Sequence, residues 1–109
     1  MKRICGWAVC LILAALPATI QAAGKAGDAA KGKVVFEQCG VCHNADSDVK
    51  KMGPGLKGLF KKDKLMNGKK PTEPAIRTKI DEGGNGMPAY KDILSDQEKD
   101  DLIAYLKTL

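Results

Sequence analysis

The feature that most constrains this chain is the pentapeptide Cys39-Gly40-Val41-Cys42-His43. Its two thiols are one helical turn apart and fall on the same face of the backbone, and an imidazole follows the second thiol directly. The order C-x-x-C-H is the attachment signature of a c-type haem, because each thiol can add to one porphyrin vinyl group. We therefore predict one covalent haem, with thioethers at Cys39 and Cys42 and His43 as an axial iron ligand.

The alternatives for this cysteine pair are a zinc site, a thioredoxin-like redox pair and a structural disulfide. A zinc site needs about four ligands, but His43 is the only histidine of the chain and no second cysteine pair follows it. A thioredoxin-like redox pair requires an α/β pattern around the motif, which the sequence does not show. A structural disulfide between the two cysteines stays open in an oxidising compartment. The spacing favours haem attachment over all three.

Residues 1–23 have the layout of a secretory signal peptide. Lys2 and Arg3 precede an apolar run, Pro17 interrupts it, and small residues follow. The run is short for a membrane span, which needs about 20 apolar residues, so an uncleaved anchor is the less favoured alternative. We expect cleavage near residue 23, export to the periplasm, and a mature domain of residues 24–109 with no stable membrane insertion.

Composition limits what the mature domain can be. Of four cysteines, only the C-x-x-C-H pair lies beyond residue 23. A small exported protein normally relies on disulfides, so a tethered haem is the natural substitute as a core. From Gly24 onward, 16 Lys plus Arg face 13 Asp plus Glu, and this net charge of +3 is dispersed and does not predict nucleic-acid binding. The length predicts a single domain, and we expect a monomer.

The first and last segments of the mature part predict helices. Residues 24 to about 38 form the first, with Asp28 as a candidate N-cap and Gly32 and Phe36 on one face. The clearest helix begins at Ser95, which with Glu98 forms a capping box. An apolar stripe follows at Leu102, Tyr105, Leu106 and Leu109. We expect this stripe to pack against the Gly32/Phe36 face. A shorter helix is predicted over residues 71–84, capped by Thr72.

A proline turn lies between these helices, at Gly53-Pro54-Gly55-Leu56. A Pro-Gly pair indicates a turn in any fold. Its functional interpretation is that the Pro54 carbonyl accepts a hydrogen bond from the far nitrogen of His43. A metal-bound histidine usually donates that N–H to a backbone carbonyl or a carboxylate, which orients the ring.

A glycine-rich stretch at residues 84–88 presents Met87 just before a proline. A thioether sulfur is a soft ligand suited to haem iron. The alternative is a core methionine that fills space beside the ring. Met66 is the main rival as an iron ligand and Met52 a weaker one. We favour Met87, because the flanking glycines and proline let a rigid backbone approach the haem closely.

Residues 56–70 contain six lysines. The simpler interpretation is a solvated loop or short helix. The functional one is a surface that docks an acidic partner. The lysines are Lys57, Lys61, Lys62, Lys64, Lys69 and Lys70.

Taken together, these motifs resemble those of class I cytochromes c, in the family's order and over nearly all of the mature part. The resemblance implies an all-α cytochrome c fold: three to four short helices and loops around one haem, with the terminal helices crossing near Gly32. It implies axial ligation by His43 and Met87. It further implies the Pro54 contact to His43 and haem packing by Phe36 and Leu56. Residues 24–109 contain no tryptophan to bind a haem propionate, and Arg77 is a substitute on charge grounds.

The resemblance also implies a function. With two protein ligands, the iron offers no position for a substrate, so we expect a one-electron carrier between redox protein partners and no enzyme activity. A second hypothesis is a haem sensor or peroxidase-like enzyme with a labile sixth ligand. A third is an electron-entry subunit of a larger oxidoreductase.

Overall fold

The computed structural model describes residues 27–109. Within this range the α-helices are α1 (Ala29–Phe36), α2 (Glu73–Glu82) and α3 (Asp96–Leu106), and a short 3-10 helix spans Leu59–Lys61. The described residues contain no β-strand beyond an isolated pairing of Gly84 with Met87. The all-α prediction is confirmed. The predicted signal peptide, residues 1–23, lies outside the described residues.

Each helix begins at the capping residue that the sequence predicts. Asp28 accepts hydrogen bonds from two backbone N–H groups of the first turn of α1, and Thr72 caps α2. Ser95 and Glu98 form both bonds of the capping box at the start of α3. These bonds satisfy N–H groups that have no partner inside the helix. The first helix is shorter than predicted, because Asp28 is extended and Gly27 precedes it outside the helix.

Helices α1 and α3 cross at the predicted face. A Cβ on Gly32 would lie 1.9 Å from the carbonyl oxygen of Asp101, so only glycine allows this approach of the two backbones. One turn later, the rings of Phe36 and Tyr105 pack with their centroids 5.3 Å apart. Since the C-x-x-C-H motif follows α1 directly, the crossing also places that motif relative to α3.

Asp101 has a role at this crossing that the sequence did not predict. Its carboxylate is buried and accepts the backbone N–H of Asp28 at 2.7 Å and the side-chain amide of Gln97 at 2.9 Å. These hydrogen bonds, that from Asp28 foremost, hold the pKa of Asp101 below its ordinary value. The carboxylate ties the start of α1 to the middle of α3.

The buried apolar residues come from all the helices and from the segments between them. Leu102 is the most completely buried, at 2% exposure. Ile103, outside the predicted stripe, is also buried. None of the helices in residues 27–109 has the length and hydrophobicity needed to cross a bilayer. The core comprises Phe36, Leu59, Ile76, Ile80, Leu94, Leu102, Ile103 and Leu106.

Ion pairs join α2 to α3. Arg77 binds Asp100 and, at 2.9 Å, Asp96. Lys99 reaches Asp81 near the end of α2, at 2.6 Å. The suggestion that Arg77 replaces a haem-propionate contact is wrong, because its guanidinium is held by these acids and lines a separate cleft.

Candidate haem site

A cavity of about 480 Å³ opens between the helices and the long loops. This volume lies in the usual range of about 300–1,000 Å³ for a cofactor site. Apolar side chains dominate its wall, including Leu59, Ile76 and Leu102. The structure brings every predicted site residue to this one cavity. They are Phe36, Cys39, Cys42, His43, Pro54, Leu56 and Met87.

The C-x-x-C-H motif continues from α1 as a series of tight turns. The N–H of Cys39 donates to the carbonyl of Phe36 at 2.7 Å. The N–H groups of Cys42 and His43 both donate to the carbonyl of Cys39, at 3.1 and 2.9 Å. The wound backbone therefore brings both thiols and the imidazole to the cavity wall. Both thiols are half-buried and free within the described part of the chain.

The surroundings of the thiols argue against the redox and zinc interpretations. Burial, and secondarily the nearby Cys42, raises the pKa of the Cys39 thiol. A thioredoxin-like nucleophile instead needs a lowered pKa. Across residues 27–109, His, Cys, Asp and Glu side chains form no group of three that could hold a metal ion. Two thiols and one imidazole at an apolar cavity fit a covalently attached haem.

The proline turn lies against His43, as the sequence predicted. Nδ1 of His43 is 2.8 Å from the carbonyl oxygen of Pro54. A Cβ on Gly53 would lie 2.4 Å from the imidazole ring, so the backbone passes the ring at a distance that only glycine permits. The sequence identified Gly53 only as part of a turn.

Hydrogen bonds from three segments fix this turn. The N–H of Gly53 donates to the carbonyl of Cys42, and the N–H of Leu56 donates to the carbonyl of Asn44, both at 2.8 Å. Lys62 donates from Nζ to the carbonyl of Gly55 at 3.0 Å. The ammonium of Lys62 is therefore bound within the fold and its side chain is half-buried. The five other lysines of residues 56–70 are exposed.

Met87 is presented by a two-residue hairpin turn. Gly84 and Met87 exchange both backbone hydrogen bonds, at 2.9 and 3.1 Å. The central residues Asn85 and Gly86 have φ of 54° and 90°. Positive φ at both positions is the type I′ turn that an Asn-Gly pair favours. This turn gives Met87 a defined backbone position at the cavity, where its side chain is half-buried.

The two rival methionines also border the cavity but are far more exposed. Met52 is 80% exposed and Met66 is 78% exposed. Sδ of Met52 lies 3.9 Å from Sγ of Cys42, beside one attachment position. Exposure and the rigid hairpin both favour Met87 as the sulfur ligand.

Sequence reasoning missed several residues of the cavity wall. Leu59 is buried in the 3-10 helix, inside a stretch that seemed mainly polar. Tyr90 follows the Met87 hairpin and lines the cavity. Burial, then the nearby Cys39 and Cys42, raises the pKa of its hydroxyl. The signal for Leu59 was the apolar group Leu56, Leu59 and Phe60, which is obscured by the lysines around it.

Comparisons with known proteins identify the family of the chain. The family model for cytochrome c matches residues 29–109. A cytochrome c6 from Thermosynechococcus vestitus is 33% identical, over 90% of this chain and 85% of the relative. A cytochrome c2 from Blastochloris viridis is 37% identical, over 75% of this chain and 78% of the relative.

The fold has a solved counterpart as well. The crystal structure of cytochrome c6 from the diatom Phaeodactylum tricornutum superposes with a TM-score of 0.59 at 29% identity. The superposition covers 75% of this chain and 93% of the diatom protein. From the matched family model, the relatives and the fold, we conclude that this chain belongs to the cytochrome c family.

Proposed function

We propose that this chain is a one-electron carrier in which His43 and Met87 are the axial ligands of a haem attached to Cys39 and Cys42. Because it belongs to the cytochrome c family, the chain is an electron-transfer protein, not an enzyme, and carries one covalent haem c. The assignment of the attachment residues and axial ligands rests on one observation. Both thiols, the imidazole and the methionine line the same apolar cavity.

His43 is oriented for this role by the backbone. With the proton on Nδ1, its N–H donates to the carbonyl of Pro54 at 2.8 Å and leaves the lone pair of Nε2 for a metal. Such a hydrogen bond fixes the ring and increases the basicity of the ligating nitrogen. Gly53 adds a steric limit, because its backbone lies against the ring.

Met87 and the cavity wall would set the electronic environment of the haem iron and so its reduction potential. When bound, the haem supplies a ferric–ferrous couple that carries one electron. A neutral thioether and an apolar wall disfavour the extra positive charge of the oxidised state, so they raise the reduction potential. Gly84 and Met87, the two ends of the hairpin, exchange both backbone hydrogen bonds. This favours a methionine sulfur that stays in place over a labile sixth ligand.

The exposed lysines give the partner a chemical character. The segment that carries them also supplies Leu59, Leu65 and Met66 to the cavity lining, so these lysines belong to a stretch of chain that forms part of the site. We infer that this lysine face, defined as Lys57, Lys61, Lys64, Lys69 and Lys70, docks an acidic redox protein. Electrostatic attraction of this kind speeds encounter and weakens with salt.

We also infer export. Residues 1–23 retain the interpretation of a cleaved signal peptide, with residues 24–109 as the mature periplasmic domain. Covalent haem on an exported chain gives a specific mass. Mass spectrometry of the protein from periplasmic extract should find one haem and an N-terminus near Gly24. An intact Met1 would contradict the proposal.

Carbon monoxide is the test that separates a carrier from an open-site enzyme. The reduced protein should resist carbon monoxide without denaturant, because both axial positions belong to the protein. The oxidised protein should show a sulfur-to-iron charge-transfer band. Prompt binding together with the absence of this band would favour the sensor or peroxidase-like alternative. Co-purification with a catalytic subunit would favour the electron-entry alternative.

A further inference from the structure

Lys99 is a charged residue in an unusual place. It lies in α3, and its side chain is 4% exposed. Lysine is almost never buried to this extent unless its ammonium is paired, because removing the charge from water is costly. Its partners therefore indicate what the residue does.

Those partners lie on two other segments. Nζ of Lys99 is 2.6 Å from a carboxylate oxygen of Asp81, in α2. It also donates to the carbonyl of Lys91 at 3.1 Å. The exposed carboxylate of Asp96 is further off, at 4.0 Å. One ammonium thus joins three parts of the fold.

Asp81, in the last turn of α2, and Lys91 flank the loop that carries Met87. The chain leaves α2 after residue 82, forms the hairpin at residues 84–87, and returns to lie beside α2. There the N–H of Tyr90 donates to the carbonyl of Ile80 at 2.9 Å, and the N–H of Lys91 donates to that of Asp81 at 3.3 Å. We call these two pairs the loop neck. From the α3 side, the ammonium of Lys99 forms an ion pair with Asp81 and donates a hydrogen bond to the carbonyl of Lys91, so it contacts both sides of the neck.

We propose that Lys99 is a positioning residue that holds the loop neck closed and so keeps Met87 at the cavity. The inference rests on the proposed ligation by Met87 and adds a control of that ligation from α3. Without the ammonium, Asp81 would keep a half-buried carboxylate with no opposing charge, and the carbonyl of Lys91 would lose a donor. Both effects favour an open neck.

The test compares Lys99→Met with Arg77→Met in the haem-loaded protein. Lys99→Met keeps most of the apolar stem and removes the charge. Arg77→Met also removes ion pairs between α2 and α3, but those with Asp96 and Asp100, neither of which belongs to the neck. Hydrogen exchange of the Tyr90 and Lys91 amides, the two donors of the neck, reports its opening. We expect Lys99→Met to speed this exchange by about tenfold or more, and Arg77→Met to leave it nearly unchanged.

Carbon monoxide binding to the reduced protein gives a second readout. It should be faster in Lys99→Met than in the unaltered protein, because an open neck lets Met87 leave the iron. Lys99→Arg should restore slow exchange and slow binding, since it keeps the charge. If Lys99→Met does not fold, Asp81→Asn is used instead and should loosen the neck in the same direction.

The outcomes separate this inference from the proposed function. Equal exchange in the Lys99→Met and Arg77→Met variants overturns the inference, as does faster exchange with unchanged carbon monoxide binding. In either case the unaltered protein would still resist carbon monoxide. Prompt binding by the unaltered protein would contradict the ligation by Met87 itself, and the inference would fall with it.

Discussion

Gly32 meets the carbonyl oxygen of Asp101 so closely that an added Cβ would lie 1.9 Å from that oxygen. Backbone touches backbone at this point, so no side chain can rotate away to make room. Because the attachment motif follows α1 within three residues of Phe36, the crossing angle and the position of Cys39 depend on the same contact. A substitution at Gly32 should therefore shift Cys39 and alter the shape of the haem cavity.

Gly32→Ala should destabilise the protein. Alanine favours a helix interior by about 1 kcal/mol over glycine, but the clash with Asp101 would force the helices apart at a cost of about 1–3 kcal/mol or more. Unfolding of the haem-loaded protein by guanidinium chloride measures the balance. Lys33→Ala, at an exposed site of the same helix, serves as the control and should change the midpoint little. A Gly32→Ala protein as stable as the unaltered one would show that the crossing tolerates a methyl group.

A second prediction concerns Gly53 and the orientation of His43. A methyl group at Gly53 would lie 2.4 Å from the imidazole, so Gly53→Ala should turn the ring or displace the Pro54 carbonyl. We expect less haem incorporation and an altered visible spectrum, measured on purified protein. Gly40→Ala is the matched control within the attachment motif, because its Cβ would meet nothing closer than 3.5 Å. Equal loss in both variants would indicate a general sensitivity of the region.

The third prediction is a pH dependence from Asp101. Its pKa is lowered in the folded state by the hydrogen bonds from Asp28 and Gln97. A lowered pKa means that the unfolded chain binds the proton first as pH falls. The stabilisation is therefore complete above the unfolded pKa of about 3.9, and it is lost as pH falls through the lower folded value.

Asp101→Asn should remove this contribution. The variant should be less stable than the unaltered protein at pH 7, and the difference should shrink in strong acid. Denaturant unfolding at several pH values measures both curves. Asp96→Asn is a suitable comparison, because that carboxylate is exposed and pairs with Arg77 outside the α1–α3 crossing. A stability difference that does not vary with pH would assign the role of Asp101 to packing alone.

The contrast between Asp28 and Asp101 shows what the sequence could predict. The Asp28 carboxylate accepts hydrogen bonds from the N–H groups two and three positions after it, so its role follows from the local sequence. The caps Thr72 and Ser95 were predictable for the same reason, as was the attachment motif. Asp101 bonds to a residue 73 positions away. No local pattern distinguishes it from the other acids of α3, so its burial could not be predicted.

The same distinction between local motifs and contacts of distant segments applies to the residues at the cavity. The residues that carry chemistry stand in short motifs, and the structure brings them together as predicted. Gly53 and Lys99 escaped prediction because their contacts are steric or electrostatic relationships between segments that only the fold brings together. Arg77 was misassigned on charge alone, since its acidic partners Asp96 and Asp100 lie in another helix.

The lysine face gives a fourth prediction. Reversing Lys61 and Lys64 to glutamate should slow electron transfer to an acidic partner at low salt and leave the spectrum unchanged, because both side chains are exposed. Reversing Lys31 and Lys33, which are exposed on α1, makes the same change in net charge and should have a smaller effect. Stopped-flow kinetics over a salt series is the measurement. Equal slowing by both pairs would indicate an effect of net charge rather than a docking face.

The last prediction concerns the sixth ligand. In the Met87→Ala variant, the side chain that the hairpin presents to the cavity has no sulfur. We expect the charge-transfer band of the oxidised protein to disappear and carbon monoxide to bind the reduced form readily. The reduction potential should fall, because water or a lysine would replace the soft ligand. Visible spectra, carbon monoxide kinetics and a redox titration measure the three properties.

Met66→Ala and Met52→Ala are the matched controls for Met87→Ala. Both methionines border the cavity, yet they are 78% and 80% exposed, so their removal should leave all three properties nearly intact. Loss of the band in Met66→Ala, with Met87→Ala unaffected, would transfer the ligand assignment to Met66 and leave haem attachment unchanged. Retention of the band in all three variants would exclude a single methionine sulfur as the ligand.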